Sequence, residues 1–413
     1  MKKRILFIAP SLYPVNGPES MVNAKHVRLL IEAGCDVDVV TRGVRKGFVC
    51  YPSADDKRLF EGVGEMSIIS VDTKWNLRTF IRHIITFLYT SYIYKGADWS
   101  INAILECKKL MKRKKYDYVF TKDYPSEIVG LYFAKRGFKW IGGWNDPYMW
   151  VKYPAPYGKG YDCKISWNRK KIIADIGKYC YKNVFPSRRL ADYMLKYMTN
   201  MSEESCVVMP HILLGNKITY NNCDKIESDI LRIIHTGSVG KERNPYKFLS
   251  ALNRFVTTFP DAKVQVTFLG IVDRAKDSFL LKQIDKLGLS SIVEMHPPIS
   301  KDKVSAMVNK YNVCMLIEAP VAEGIFLPSK IIDYIEQNKV IFAVSPKIGT
   351  IRDMYEKRLV DYIADVEDED DIYAVLIQMY EDLGKGKLGV PHKDVSSLSS
   401  NALIQLHYNS ILV

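Results

Sequence analysis

Residues 316–346 read LIEAPVAEGIFLPSKIIDYIEQNKVIFAVSP: a buried strand, a polar loop, a short helix and a second buried strand. The loop holds Glu323, Gly324, Leu327, Pro328 and Ser329, and the pattern predicts a helix starting there. Proline suits a first helical turn, whose N–H has no partner inside the helix. Lys330, Asp333 and Tyr334 follow at i, i+3 and i+4 and therefore share one helix face. A helix start offers free N–H groups and partial positive charge to a phosphate. Lys330 adds a full charge, and the Asp333 carboxylate one turn on can accept hydrogen bonds from a ribose diol. The chemistry spelled out is capture of a nucleoside diphosphate. The plainer alternative is an ordinary helix–strand connection with a solvated Lys–Asp pair.

Two other loops carry residues of the same kind. After RILFIAP (4–10) comes PSLYPVNGPES, with Asn16, Gly17 and Glu19 ahead of a helix. Gly17 allows either close backbone approach to a ligand or a tight turn. After LRIIHTG (231–237) comes SVGKERNP, where Gly237 allows close approach and Arg243 offers a fork that matches phosphate oxygens.

Strands must hold these loops in place. In the first half the apolar runs are 4–10, VDVVT (37–41), MSIISV (66–71), DYVFT (117–121), FKWIGG (138–143) and NVFPS (183–187). A polar stretch, GNKITYNNCDKIESD (215–229), interrupts the pattern. It resumes with 231–237, VQVTFLG (264–270), IVEMHPP (292–298), VCMLIEA (313–319), VIFAVSP (340–346) and VDYIADV (360–366). Near-continuous Val/Ile runs alternating with helices indicate parallel strands covered on both faces. The expected fold class is α/β, with an N-terminal Rossmann-like domain over 1–214 and a C-terminal one over 230–390. The amphipathic segment 399–413 caps the second domain or crosses back onto the first.

The chain's length, 413 residues, favours two cores over one, and a 25% charged content is that of a soluble globular protein. No run approaches the ~20 apolar residues of a membrane span. The eight cysteines show no metal-ligand spacing and fit a reducing, cytoplasmic compartment. Charge is uneven: residues 1–200 hold 35 Lys and Arg against 18 Asp and Glu, a net +17, and the remainder carries −4. An anionic partner of the first half is expected, such as a membrane surface, an anionic lipid carrier or a nucleic acid.

Taken together, KWIGGWNDPY (139–148), NVFPSRRLADYML, HTGSVGKERNP and EGIFLPSKIIDY, with the helix–strand AKHVRLLIEAGCDVDVVT after the N-terminal loop, resemble the GT-B glycosyltransferases, specifically the large retaining family four. The resemblance covers nearly the whole chain and implies two Rossmann-like domains facing across a cleft. It implies a nucleotide-sugar donor on the C-terminal domain, with Arg243 and Lys330 at the diphosphate and Asp333 at the ribose. Backbone near 295–299 would meet the base, and Glu323 and Gly324 the sugar. Gly237, Leu327, Pro328 and Ser329 complete the donor side and Asn16, Gly17 and Glu19 the acceptor side, while Arg243, Lys330, Glu323 and Asp146 are the implied catalytic residues, Asp146 facing the sugar from the first domain. The chain departs from the family's two glutamates eight positions apart: position 331 is Ile, and counting back from Asp333 leads to Ile325. The resemblance further implies transfer to a lipid-linked or oligosaccharide acceptor in cell-surface polysaccharide synthesis, without a metal or other cofactor, at the inner face of the cell membrane.

A candidate membrane face lies at 76–95, where Leu77, Phe80, Ile81, Ile84, Ile85 and Leu88 form one helical stripe. KKLMKRKK (108–115) follows with six cations. The stripe alone reads as a core helix; with the cations and the +17 it reads as an interfacial surface. Asp36-Val37-Asp38 has the form of a metal-binding DxD but starts a strand, and the acidic run 367–371 reads as a solvated helix start. Two rivals are a nucleotide-sugar epimerase, which needs acids and histidines clustered at the site, and a nucleic-acid-binding protein. The latter needs a binding motif that the sequence lacks, so no nucleic-acid partner is expected.

Overall fold

Nearly every apolar run becomes a strand with both faces covered. The computed structural model describes residues 2–15, 17–44, 58–70, 77–214, 229–240, 242–270, 274–389 and 393–413. The chain forms two compact units. One comprises Met1–Tyr153, Lys159–Leu214 and Ser397–Val413; the other comprises Pro154–Gly158 and Gly215–Ser396.

The first unit is built on β1 (Arg4–Ala9), β2 (Asp36–Arg42), β3 (Met66–Ile69), β4 (Tyr118–Lys122), β5 (Lys139–Gly143), β6 (Lys182–Phe185) and β7 (Cys206–Val208), in the order β3-β2-β1-β4-β5-β6-β7. Its helices include α1 (Pro18–Glu32), α2 (Leu77–Thr90), α3 (Ala97–Arg113), α4 (Ser126–Ala134), α5 (Trp167–Tyr179) and α6 (Arg188–Leu195). The second unit holds β8 (Leu231–Thr236), β9 (Val264–Leu269), β10 (Val293–His296), β11 (Val313–Ile317), β12 (Val340–Ser345) and β13 (Tyr362–Asp365), in the order β10-β9-β8-β11-β12-β13. With them run α7 (Tyr246–Thr258), α8 (Arg274–Lys286), α9 (Lys301–Val308), α10 (Lys330–Glu336), α11 (Thr350–Glu356) and α12 (Glu369–Gly384). The last helix, α13 (Ser400–Leu406), belongs to the first unit.

Both sheets are parallel and doubly wound, each reversing direction beside its first strand. Ligands of such sheets sit past the carboxyl ends of the strands at that reversal. In the first unit it lies between β1 and β4, and in the second between β8 and β11. Phe7, Val39, Phe120 and Ile141 centre one core; Ile233, Phe268, Met315 and Phe342 centre the other. The C-terminal segment completes the first of these with Leu403, Ile411 and Leu412.

Two expectations change. The strand read as 66–71 ends at Ile69, on a sheet edge where pairing has only one side. The stripe on α2, a core helix when taken alone, faces outward: Leu77 and Leu88 are each 73% exposed. Asp38, set aside as a metal ligand in the sequence, has other partners: Lys114 Nζ contacts both its oxygens at 2.8 and 2.9 Å and the Tyr116 hydroxyl donates to it at 2.6 Å. The acidic run behaves as read: Asp368 caps α12, accepting from the N–H groups of Asp370 and Asp371.

Candidate functional site

At the β8–β11 reversal, β8 ends in His235 and Thr236, and Gly237 follows. Gly237 has φ +104°, and a Cβ there would lie 2.8 Å from Lys330 Nζ. The backbone conformation requires glycine here, and the Lys330 ammonium rests directly above it. Lys330 reaches this point because Tyr334, one turn along α10, anchors the helix: its hydroxyl lies 2.8 Å from Thr236 Oγ1 and accepts from the Thr236 N–H at 3.1 Å. The shared face of Lys330 and Tyr334 is thus turned onto the end of β8.

The Lys330 ammonium donates to Nε2 of buried His235 at 3.3 Å. The His235 Nδ1–H is directed at the Met315 carbonyl, 3.1 Å away, which leaves Nε2 as the acceptor. Burial, with Lys330 and Arg243 nearby, holds His235 neutral by pushing its pKa well below the ordinary value. Burial and the Arg243 charge also lower Lys330 to about 7. Arg243 Nε donates to the Tyr157 hydroxyl at 3.1 Å, and Tyr157 packs edge-on against Phe326. Among the described residues neither Lys330 nor Arg243 makes an ion pair. Glu318, at the end of β11, accepts from Ser345 Oγ at 2.6 Å, and burial raises its pKa to about 7. Two converging cations beside a neutralisable acid form a site that an anion completes.

The predicted donor residues are arranged around this cradle. Gly324 pairs with Gly349: its N–H donates to the Ile348 carbonyl at 2.9 Å, and its carbonyl accepts from Thr350 N at 2.7 Å. That bridge fixes Glu323, which is half-buried one residue earlier. Leu327 is a core residue, 7% exposed. The helix does not begin at Pro328. It starts at Lys330, and the Ile331 and Ile332 N–H groups are already used by the Pro328 and Ser329 carbonyls at 3.1 and 3.2 Å. A tight first turn therefore spends amides expected to face a phosphate, and the positive charge here comes from side chains. Asp333 is half-buried one turn beyond Lys330.

In the first unit, Gly17 opens α1 in an extended conformation with open space where a Cβ would be, so nothing there requires glycine. Asn16 lies outside the described residues. Glu19 accepts from Ser11 Oγ at 3.2 Å, and Asp146 accepts from the Tyr153 hydroxyl. Both carboxylates surround a residue the sequence reading missed, Asp123, which follows β4 with φ +65°. Asn23 and Asn145 donate to it, and burial together with Glu19 pushes its pKa up. His235, Glu318 and Tyr157 were likewise not assigned. A polar residue directly after an apolar run is the signal that marks Asp123 and Glu318; Tyr157 has none.

No protein-family model and no curated protein matches the chain. Solved structures do. The Anabaena protein HepE in complex with UDP and glucose is 12% identical with TM-score 0.61, covering 99% of this chain and 96% of that one. The lipopolysaccharide outer core galactosyltransferase WaaB is 13% identical with TM-score 0.60, covering 99% of each chain. Sucrose-phosphate synthase from Thermosynechococcus elongatus is 11% identical with TM-score 0.63, covering 98% and 95%. These likenesses show the fold: two Rossmann-like units of the GT-B type.

Proposed function

We propose that the chain is a glycosyltransferase that moves a sugar from a nucleotide-sugar donor to a lipid-linked glycan in cell-surface polysaccharide assembly. The observation that carries this reading is the pair Lys330 and Arg243, which converge beside Gly237 at the second sheet's reversal and make no ion pair among the described residues. As the bond from the sugar's anomeric carbon to the diphosphate breaks, negative charge grows on the leaving oxygen. Fixed cations in a water-poor site stabilise that charge more than they stabilise the intact donor. The UDP in the HepE structure supports the donor class, and the likeness to WaaB, a lipopolysaccharide outer core galactosyltransferase, supports a glycolipid acceptor.

The reading includes retention at the anomeric carbon: the acceptor hydroxyl attacks from the face the diphosphate leaves, and its proton passes to the departing phosphate oxygen. Arg243 and Lys330 supply the charge at the diphosphate, so no resident metal is part of the reading. The protein would work as a peripheral protein on the inner face of the cell membrane; no helix among the described residues is long and apolar enough to cross one. A screen of nucleotide sugars, measuring nucleotide release with and without lipid-linked acceptors, tests the assignment. Acceptor-dependent release from at least one donor is expected, persisting in excess EDTA and giving a retained anomer by NMR. Absence of release from every donor would refute the function; metal-reversible loss would refute the metal-free part alone.

A further inference from the structure

Helix α2 is folded inside out. Thr79, Thr86 and Thr90 are buried, and they lie on one stripe with half-buried His83 at i, i+4, i+7 and i+11. The polar groups of His83, Thr86 and Thr90 are satisfied locally, which makes this stripe cheap to bury. Thr86 Oγ1 lies 2.7 Å from the Arg82 carbonyl and 2.9 Å from that of Ala97, at the start of α3. Thr90 Oγ1 donates to the Thr86 carbonyl at 2.7 Å, and His83 Nδ1 lies 2.8 Å from the Thr79 carbonyl. The opposite stripe, from Leu77 through Ile84 to Leu88, is exposed. Core formation would have turned the helix the other way round.

The exposed surface continues past the helix. Ile93 is 70% exposed, and Trp167, at the first position of α5, is 75% exposed. Asn168 joins the two segments, accepting from the Ile93 N–H at 3.3 Å and donating to its carbonyl at 2.6 Å. The rim is cationic: Arg78, Lys95, Arg169 and Lys170 are exposed, and the sequence has no acidic residue between Asp72 and Asp98.

We infer that this face docks on an anionic lipid bilayer, with α2 lying flat at the headgroup level and Trp167 at its edge. An apolar stripe with a basic rim matches the two terms of interfacial binding, and tryptophan prefers that depth. A second copy of the chain is disfavoured, because a two-fold contact would set one cationic rim against another. The inference deepens the proposed function, resting on it for the lipid-linked acceptor that the bilayer would present.

The test is co-sedimentation of the full chain with vesicles of mixed phosphatidylglycerol and phosphatidylcholine, and of phosphatidylcholine alone. UDP binding is measured alongside. The wild type should bind the mixed vesicles and retain part of that binding in high salt. The double variant Ile84→Glu, Leu88→Glu changes two exposed positions and should keep its melting temperature and UDP affinity. It should lose roughly 100-fold in vesicle partitioning. Lys95→Ser with Lys170→Ser should lose about tenfold, at low salt only. Vesicle binding unchanged by the glutamates, or absent in the wild type, would overturn the inference. A wild-type dimer that the glutamates convert to monomer would overturn it too. Vesicle binding without UDP binding would support docking and refute a uridine-nucleotide donor.

Discussion

The two sheet reversals gather different side chains: acids and amides beside buried Lys122 at one, Lys330 and Arg243 beside Glu318 at the other. The first 200 residues bear a net +17, yet at the β1–β4 reversal stand the carboxyl groups of Glu19, Asp123 and Asp146 among asparagines. The remainder bears −4, yet at the β8–β11 reversal stand Lys330 and Arg243. Net charge therefore describes the outer surface of each half, where it governs partners, and says little about the site. Acids among amides suit the hydroxyls of a sugar; paired cations suit a diphosphate.

Removing the cations should have the largest effect. Lys330→Ala and Arg243→Ala should each lower turnover by ~10²-fold or more, as expected when charge stabilisation of a leaving group is lost. Normal turnover in either variant would remove that residue from the cradle. Asp123→Asn should act on the other substrate: acceptor kcat/KM falls by about tenfold while UDP affinity holds. A parallel loss of UDP affinity would break the division of labour between the reversals. The smallest effect separates structural from surface cations within the basic half. Lys114→Ser strands the buried Asp38 carboxylate and should cost about 2 kcal/mol in chemical denaturation, less than a fully buried pair because Lys114 is partly exposed. Lys112→Ser, at an exposed position, should stay within about 0.5 kcal/mol. Equal losses would mean that the Asp38 pair contributes no more than a surface charge.

Strand centres were legible because a strand buried on both faces needs continuous apolar residues, as in Ile5–Ala9 and Val313–Ile317. Edges were not. β3 ran short, and β7, with three residues, gave too brief a pattern to register. The period of α2 was readable, but its orientation was not, since an apolar stripe does not state whether protein or lipid will cover it. In the site, Lys330 and Gly237 were visible from local spacing. Their partners were not: His235 is 95 residues from Lys330, and Tyr157 is 86 from Arg243. Such pairings depend on the sheet order, which brings the end of β8 beside the end of β11.

The account stands most directly on the protonation of Lys330. Burial and Arg243 hold it at about 7, so near pH 8 the free lysine is mostly neutral. A bound diphosphate should favour the charged form and raise that pKa, so binding takes a proton up. Calorimetric titration of UDP near pH 8, in buffers of different ionisation enthalpy, reads this uptake. The account predicts uptake approaching one proton per UDP, affinity that tightens as pH falls from about 8 towards 7, and loss of the uptake in Lys330→Met. UDP binding with no proton uptake, equally tight in wild type and Lys330→Met, would contradict it.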